Sequence, residues 1–552
     1  MERDTDRCCL ENALHRFFQS GVAQDAFDVY FCYLEMFVGS YGSSRKMIEL
    51  LAEFESNASA LLMKHRDHYS HSVYVFALGL AIYRSSPAFR ASYQRFYGLR
   101  DERGAAHHFL RYWGLAARFH DIGYPFELPF EQIKSYFGGA ADKVPFIAYR
   151  GTENYVALDD DQRTYLAALL GQPLVMGTVN EALAVRVAQL MGHAYGVTAE
   201  DFRGGVLDQK AGYPDKFNYF MDHAYFSAVL LLRRLMDVKG AESLALADID
   251  AIVAILLHNS MFKFVIRKDR QPLEMDIHPL GYLLMLCDEL QCWDRTAYGQ
   301  NSRQELHPMW CELDFDGDRI RACYLYDSQL EERKDRAKGT YPKMQGEHPG
   351  FVADIEGIVA LNRPGTLELE ITTCFTKNTR LGHTFLSDSS FLHLYNFAVA
   401  LNGRYNYGAA HAEQPEELLQ KDFDSLSLEY KLSNILQAKA FARYLDAIDC
   451  FYSDRPVAYE KLDRFTKEQL DVIGPMEHER WLEEKRSMGW QFGTAYTKCP
   501  EPGLVREQTR THKLMIDDYS ALGEGEQSKD TEPMDCMLRL IEQFDGLRIY
   551  KL

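Results

Sequence analysis

A chain of 552 residues with 47% apolar and 26% charged side chains is ordinary for a globular protein but too long for one core, and roughly 100–200 residues per domain predicts about three units. Its formal charge of −19 excludes long nucleic acid as a partner, because a polyanion binder needs a basic surface; a small nucleotide needs only a local cluster of positive charge or metal. No run approaches the roughly 18 apolar residues of a membrane span, the polar start is no signal peptide, and the eleven scattered cysteines lack a CxxC pair, as reduced thiols do. The chain is therefore expected to be cytoplasmic, without a membrane partner, and a homo-oligomer.

Residues 1–60 read as an N-terminal helical segment. From 61 to 300 apolar residues recur at three and four, the helical period. The stripe His71, Val75, Leu78, Ile82 places His71 on a buried face, with Asp67 and His68 one turn back. The next stripe, Leu110, Trp113, Ala117, ends in His120-Asp121-Ile122-Gly123-Tyr124. A third helix starts at Asp222-His223 and continues to Leu230. The fourth, Ala251–Leu257, is almost wholly apolar and then presents His258, followed by a basic run containing Lys263, Arg267 and Lys268. The fifth runs from Leu280 to Asp288, with Gln291 and Arg295 one and two turns beyond. One such histidine is usually a hydrogen-bonded core residue, and one such aspartate a helix cap. Five helices that each bury an ionisable group are another matter, since burial of charge is unfavourable unless the group is paired or metal-bound. Convergence of such groups within a helical bundle is how a metal site is built. Imidazole nitrogen with carboxylate oxygen suits manganese, iron, cobalt, nickel or zinc better than calcium, and magnesium stays open.

The ordered set His, His-Asp, His, His, Asp resembles the HD superfamily of metal-dependent phosphohydrolases over residues 61–300. The resemblance implies a mainly α fold with a helical HD-type bundle, and a first ion held by His71, His120, Asp121 and Asp288. It places His223 and His258 at the second-metal positions of dinuclear members, or as catalytic contacts if one ion is bound. Asp67, His68 and Tyr124 become candidates for general acid or phosphate contact, and Lys263, Arg267, Lys268, Gln291 and Arg295 for substrate binding. Tyr124 stands where many deoxynucleoside triphosphate triphosphohydrolases of this family carry a histidine.

Strand signals begin after residue 300. Arg319–Tyr326 and Thr366–Thr372 both alternate and follow turn residues, so 301–408 reads as a small α+β domain. Asp314-Phe315-Asp316-Gly317-Asp318 reads as a β-turn rather than a calcium loop, because Leu325 stands where the bidentate glutamate belongs. Residues 409–455 read as a connecting helix region with Leu432, Ile435, Phe441, Leu445 and Ile448 on one face. The last segment, 456–552, carries Glu477-His478-Glu479-Arg480-Trp481, then Met488-Gly489-Trp490 and His512. The tryptophans offer flat faces to a purine, and Arg480 a fork to phosphate. This segment resembles the repeat domain first described in ryanodine receptors. The resemblance implies a helical sensor of a nucleotide-like effector, contacted by Glu477, Arg480, Trp481 and Trp490.

Together these readings lead to an expected enzyme with a nucleotide substrate, most simply a regulated deoxynucleoside triphosphate triphosphohydrolase of bacterial antiphage defence. A dinuclear phosphodiesterase acting on cyclic or related nucleotides is the alternative. A nucleotide-binding scaffold with an idle HD domain is the alternative from another class.

Overall fold

The structure is a computed structural model. It describes the chain outside residues 1, 21–22, 40–43, 52–67, 127–155, 197, 200–221, 260–261, 264–270, 294–305, 329–330, 332–333, 336–339, 347–348, 377–390, 409, 411–413, 454–458, 546–547 and 552. The described chain is mainly helical with small sheets and divides into two compact units, one of residues 53–381 and one of 1–52 with 382–552. Among the described residues no helix is long and apolar enough to cross a membrane, and no disulfide links the cysteines.

In the 53–381 unit the helix Leu246–Leu257 lies at the centre. Every residue from Ala247 to Leu257 is buried, as expected of a helix apolar all round. It packs against helices Glu102–Phe119, Val179–Tyr195, His223–Lys239 and Pro279–Leu290. Helix His68–Ser85 packs on Glu102–Phe119 and on Pro279–Leu290. Its approach to the first is close because position 79 is glycine: a Cβ there would fall 2.2 Å from the Trp113 ring. Trp113 in turn donates its Nε1–H to the Phe76 carbonyl at 2.8 Å. Helix Pro87–Tyr97 starts from a Ser86 cap and stops at Gly98, whose φ of 67° is the left-handed conformation that a side chain disfavours.

Against these helices sits a three-stranded sheet. Strand β1 (Trp310–Asp316) pairs antiparallel with β2 (Arg319–Asp327), and β2 pairs parallel with β3 (Glu368–Thr376). The two alternating segments expected as strands are β2 and β3. Strand β1 adds to them, and its segment ends in the turn read from Asp316-Gly317. Gly317 at φ 61° makes the tight reversal, and Asp318 then accepts hydrogen bonds from Ser86 Oγ at 2.5 Å and the Ala88 amide at 3.0 Å. Alternation fixes the faces: Ile320, Ala322, Tyr324 and Tyr326 are buried with Leu369 and Ile371. The opposite face carries Arg319 beside Glu368 at 2.9 Å.

In the other unit, helices Glu2–Ser20 and Ala23–Phe37 pack on each other and on Leu428–Ala447. Lys439 of Leu428–Ala447 reaches Asp25 and, at 2.9 Å, Asp28, both of the helix Ala23–Phe37. Helix Phe391–Tyr407 packs on Leu428–Ala447 and on Glu524–Asp545, and β4 (Cys450–Ser453) pairs antiparallel with the C-terminal strand Arg548–Lys551.

Candidate metal centre

Each histidine of the sequence pattern sits at a helix boundary or on a buried helix face. His71 lies in the second turn of His68–Ser85. His120 caps the C-terminus of Glu102–Phe119, so Asp121 follows in the turn. His223 opens its helix directly after the Asp222 cap, and His258 closes the central helix. Asp288 lies in the last turn of Pro279–Leu290.

These ends meet at one point. His71 Nε2 lies 3.2 Å from His120 Nε2 and 3.2 Å from Asp288 Oδ1. Asp121 Oδ2 is 3.7 Å from His71 Nε2, while Asp121 Oδ1 is 3.4 Å from His120, 3.6 Å from His223 and 3.9 Å from His258. His223 and His258 face each other with Nε2 atoms 3.1 Å apart. Neighbouring ligands on one ion with bonds of about 2.0–2.1 Å are separated by about 3.0–3.4 Å, which matches the inner distances here. Two groups can hold an ion, His71-His120-Asp121 and Asp121-His223-His258, and Asp121 belongs to both.

The other ring nitrogens decide what the cluster can bind. His120 Nδ1 faces the Ala117 carbonyl at 2.8 Å, and His258 Nδ1 faces the Ile255 carbonyl. A carbonyl only accepts, so both Nδ1 atoms donate, and in the neutral rings both Nε2 atoms present lone pairs. His71 Nδ1 lies 2.6 Å from Gln291 Oε1, and the Gln291 amide is oriented by its own donation to the Trp293 carbonyl at 2.9 Å. His71 Nε2 therefore also presents a lone pair. Two lone pairs at 3.2 Å repel unless a cation lies between them, and ring nitrogens tied to carbonyls in this way are the usual support of metal-ligating histidines. Burial first, then the neighbouring His223 and His120, pushes His258 well below the ordinary histidine range, so it stays neutral.

The cluster has an open side. The side chains of His120, His71, His258 and Asp121 are between 0% and 3% exposed, whereas His223 is 20%, Asp288 14% and Lys263 12% exposed. Lys263 Nζ lies 3.1 Å from Asp288 Oδ2 and 3.0 Å from Glu289 Oε1. Burial opposes its charge, yet Glu289 and Asp288 outweigh that and hold the ammonium above its ordinary range. The Tyr124 ring rests on His223 with centroids 4.9 Å apart.

Of the other residues expected at this site, Gln291 is 2% exposed and occupied by His71 and Trp293. Asp67, Arg267, Lys268 and Arg295 lie outside the described residues, and of His68 only the backbone is described. Sequence reasoning passed over Ser227, whose Oγ accepts the Gly123 amide at 2.7 Å. Its signal was a polar residue four positions after His223, hence on the same helix face.

The C-terminal motif lies in the other unit. Glu477 accepts two bonds from Arg480 at 2.8 Å, one from Gln437 at 3.0 Å and one from Tyr444. Arg480 also reaches Glu484 at 2.7 Å. The fork expected to meet phosphate thus meets two carboxylates. Trp490 is buried and donates its Nε1–H to Glu429 at 2.7 Å. Trp481 is half-buried, stacked with His478 and edge-on to His512 at 5.1 Å between centroids.

No family model, curated protein or solved structure matches the chain.

Proposed function

We propose that the chain is a metal-dependent phosphohydrolase of the HD type acting on a nucleotide. The observation that carries this reading is the convergence of four imidazole Nε2 atoms on the shared carboxylate of Asp121, with three of the Nδ1 atoms committed to acceptors behind them. His71, His120, Asp121 and Asp288 would hold one divalent ion, manganese, iron, cobalt, nickel, zinc or magnesium, and Asp121, His223 and His258 a second. Such ions supply Lewis-acid stabilisation of phosphoryl oxygens and lower the pKa of water. The chain's own residues do the rest. The more exposed groups His223 and Asp288 mark the side from which substrate arrives, Lys263 holds Asp288 there by an ion pair rather than contacting substrate, and the Tyr124 hydroxyl serves as a proton donor. Trp481, half-open beside His512, is the proposed contact for a nucleotide-like effector.

The second triad favours two ions, and with them the phosphodiesterase alternative over the deoxynucleoside triphosphate triphosphohydrolase. Products separate the two. A panel of deoxynucleoside triphosphates, cyclic nucleotides and linear phosphodiesters is incubated with the manganese-loaded protein and resolved by chromatography. A nucleoside monophosphate or a linearised product is expected; a nucleoside with intact tripolyphosphate would restore the triphosphohydrolase. Turnover of none of them by protein that retains its metal would refute the enzyme reading and leave the binding scaffold.

A further inference from the structure

Gln291 lies just past the helix Pro279–Leu290, where a glutamine one turn from Asp288 has the reach to face substrate. The geometry points elsewhere: we propose that Gln291 is a positioning residue that fixes the ring of His71 for cation binding, and that the three-stranded sheet is what holds Gln291 in place. This rests on reading His71 as a metal ligand.

The amide is fixed at both ends. Its Nε2–H donates to the Trp293 carbonyl at 2.9 Å, which turns Oε1 toward His71 Nδ1 at 2.6 Å. The Gln291 backbone amide donates to the Cys287 carbonyl at 3.0 Å. At 2% exposure the side chain has no water to replace either bond, so loss of one leaves a buried polar group without its partner. Trp293 in turn is held from the sheet side. Its ring packs edge-on to Trp310, the first residue of β1, at 6.4 Å, and also to Tyr74 of the helix His68–Ser85 at 5.5 Å. Tyr324 of β2 lies 6.4 Å from the same ring and donates its hydroxyl to the Leu290 carbonyl at 2.7 Å, one residue before Gln291. A continuous chain of contacts thus runs from two strands through Trp293 and Gln291 to the Nδ1 of a proposed ligand. Without the acceptor at Oε1, His71 can rotate or take the other tautomer, which carries a proton on Nε2 where the ion belongs.

The test uses the full chain and cobalt(II) alone, with affinity read by calorimetry and geometry by the visible absorption of the bound ion. Gln291→Met keeps the side-chain volume and removes the acceptor; Gln291→Glu keeps an oxygen toward His71. The expected result is about a 10–100-fold loss of cobalt affinity with an altered absorption band in Gln291→Met. Gln291→Glu, which keeps the oxygen toward His71 but gives up the donor to the Trp293 carbonyl, should lose less affinity than Gln291→Met. In a His71→Ala background, Gln291→Met should cause no additional loss, because the ring it orients is gone. Parent-like affinity and an unchanged band in Gln291→Met would overturn the proposal while the metal reading stands. Failure of the parent chain to bind cobalt would overturn the reading beneath it as well. Should Gln291→Met not fold, Gln291→Glu decides alone, and a cobalt affinity there as low as that of His71→Ala would overturn the proposal.

Discussion

Gly123 lets the His120-Asp121 turn lie directly on the start of the His223 helix. A Cβ at this position would fall 2.2 Å from the His223 carbonyl oxygen and 2.5 Å from the Ser227 amide, both backbone atoms that cannot swing away. Gly123→Ala should therefore separate Asp121 from His223 and His258, destabilising the unit by about 1–3 kcal/mol and weakening metal binding more than stability. Thermal unfolding with and without manganese checks this: a variant stabilised by the ion as much as its parent would contradict it. The positions of His71, His120, Asp121, His223, His258 and Asp288 were legible in the sequence because each lies within or at the end of an apolar helical stripe. The partners that give these groups their chemistry were not. The Gln291 side chain crosses 220 residues of sequence to reach His71, and Lys263, read as one of a basic run, closes an ion pair with Asp288. Periodicity reports which face is buried and is silent about what lies across from it.

Helix ends carry much of the specificity of the 53–381 unit, and the cap of the helix Pro279–Leu290 is titratable. His278 caps the helix Pro279–Leu290, its Nδ1 accepting the Gly281 amide at 2.8 Å, and the ring is fully buried. Burial, with Arg186 adding to it, lowers this histidine to about 3. The unfolded chain therefore takes up a proton near the ordinary histidine value of about 6.5 that the folded chain refuses. The stability from this cap is fully present above that value and is lost as pH falls through it toward about 3. His278→Asn keeps a capping acceptor without the titration, so the slope of stability against pH between about 4 and 6 should flatten. Chemical unfolding across that window measures it, and an unchanged slope would contradict the assignment. At this scale β2 and β3 were legible by alternation. Strand β1 was passed over although Cys311, Leu313 and Phe315 alternate with the exposed Glu312, Asp314 and Asp316; acidic residues are poor strand formers, and its end was read only as a turn.

In the whole molecule the longest connections in sequence are the least readable. Lys439 meets Asp25 and Asp28 across more than 400 positions, and Lys431 meets Glu35 across 396. Asp28 is fully buried, and burial, offset by Lys439 and Arg16, still raises its carboxyl. Lys439→Met should remove the compensating charge and destabilise this unit by about 3–5 kcal/mol. Metal content, proposed for residues of the 53–381 unit, should not change. Limited proteolysis of the N-terminal helices beside metal analysis reads both effects; equal loss of both would contradict the independence of the metal centre.

Two ions that share the Asp121 carboxylate are the core of the proposed centre, and their number can be counted. Metal analysis of the manganese- or cobalt-reconstituted protein, after removal of loosely bound ions, should give two per chain, matching the two groups that share Asp121. His223→Ala should give one, and Asp121→Ala, which breaks both groups, should give none while the chain stays folded. A parent chain that retains one divalent ion or none, or an Asp121→Ala variant that retains as much as its parent, would contradict the shared-carboxylate centre.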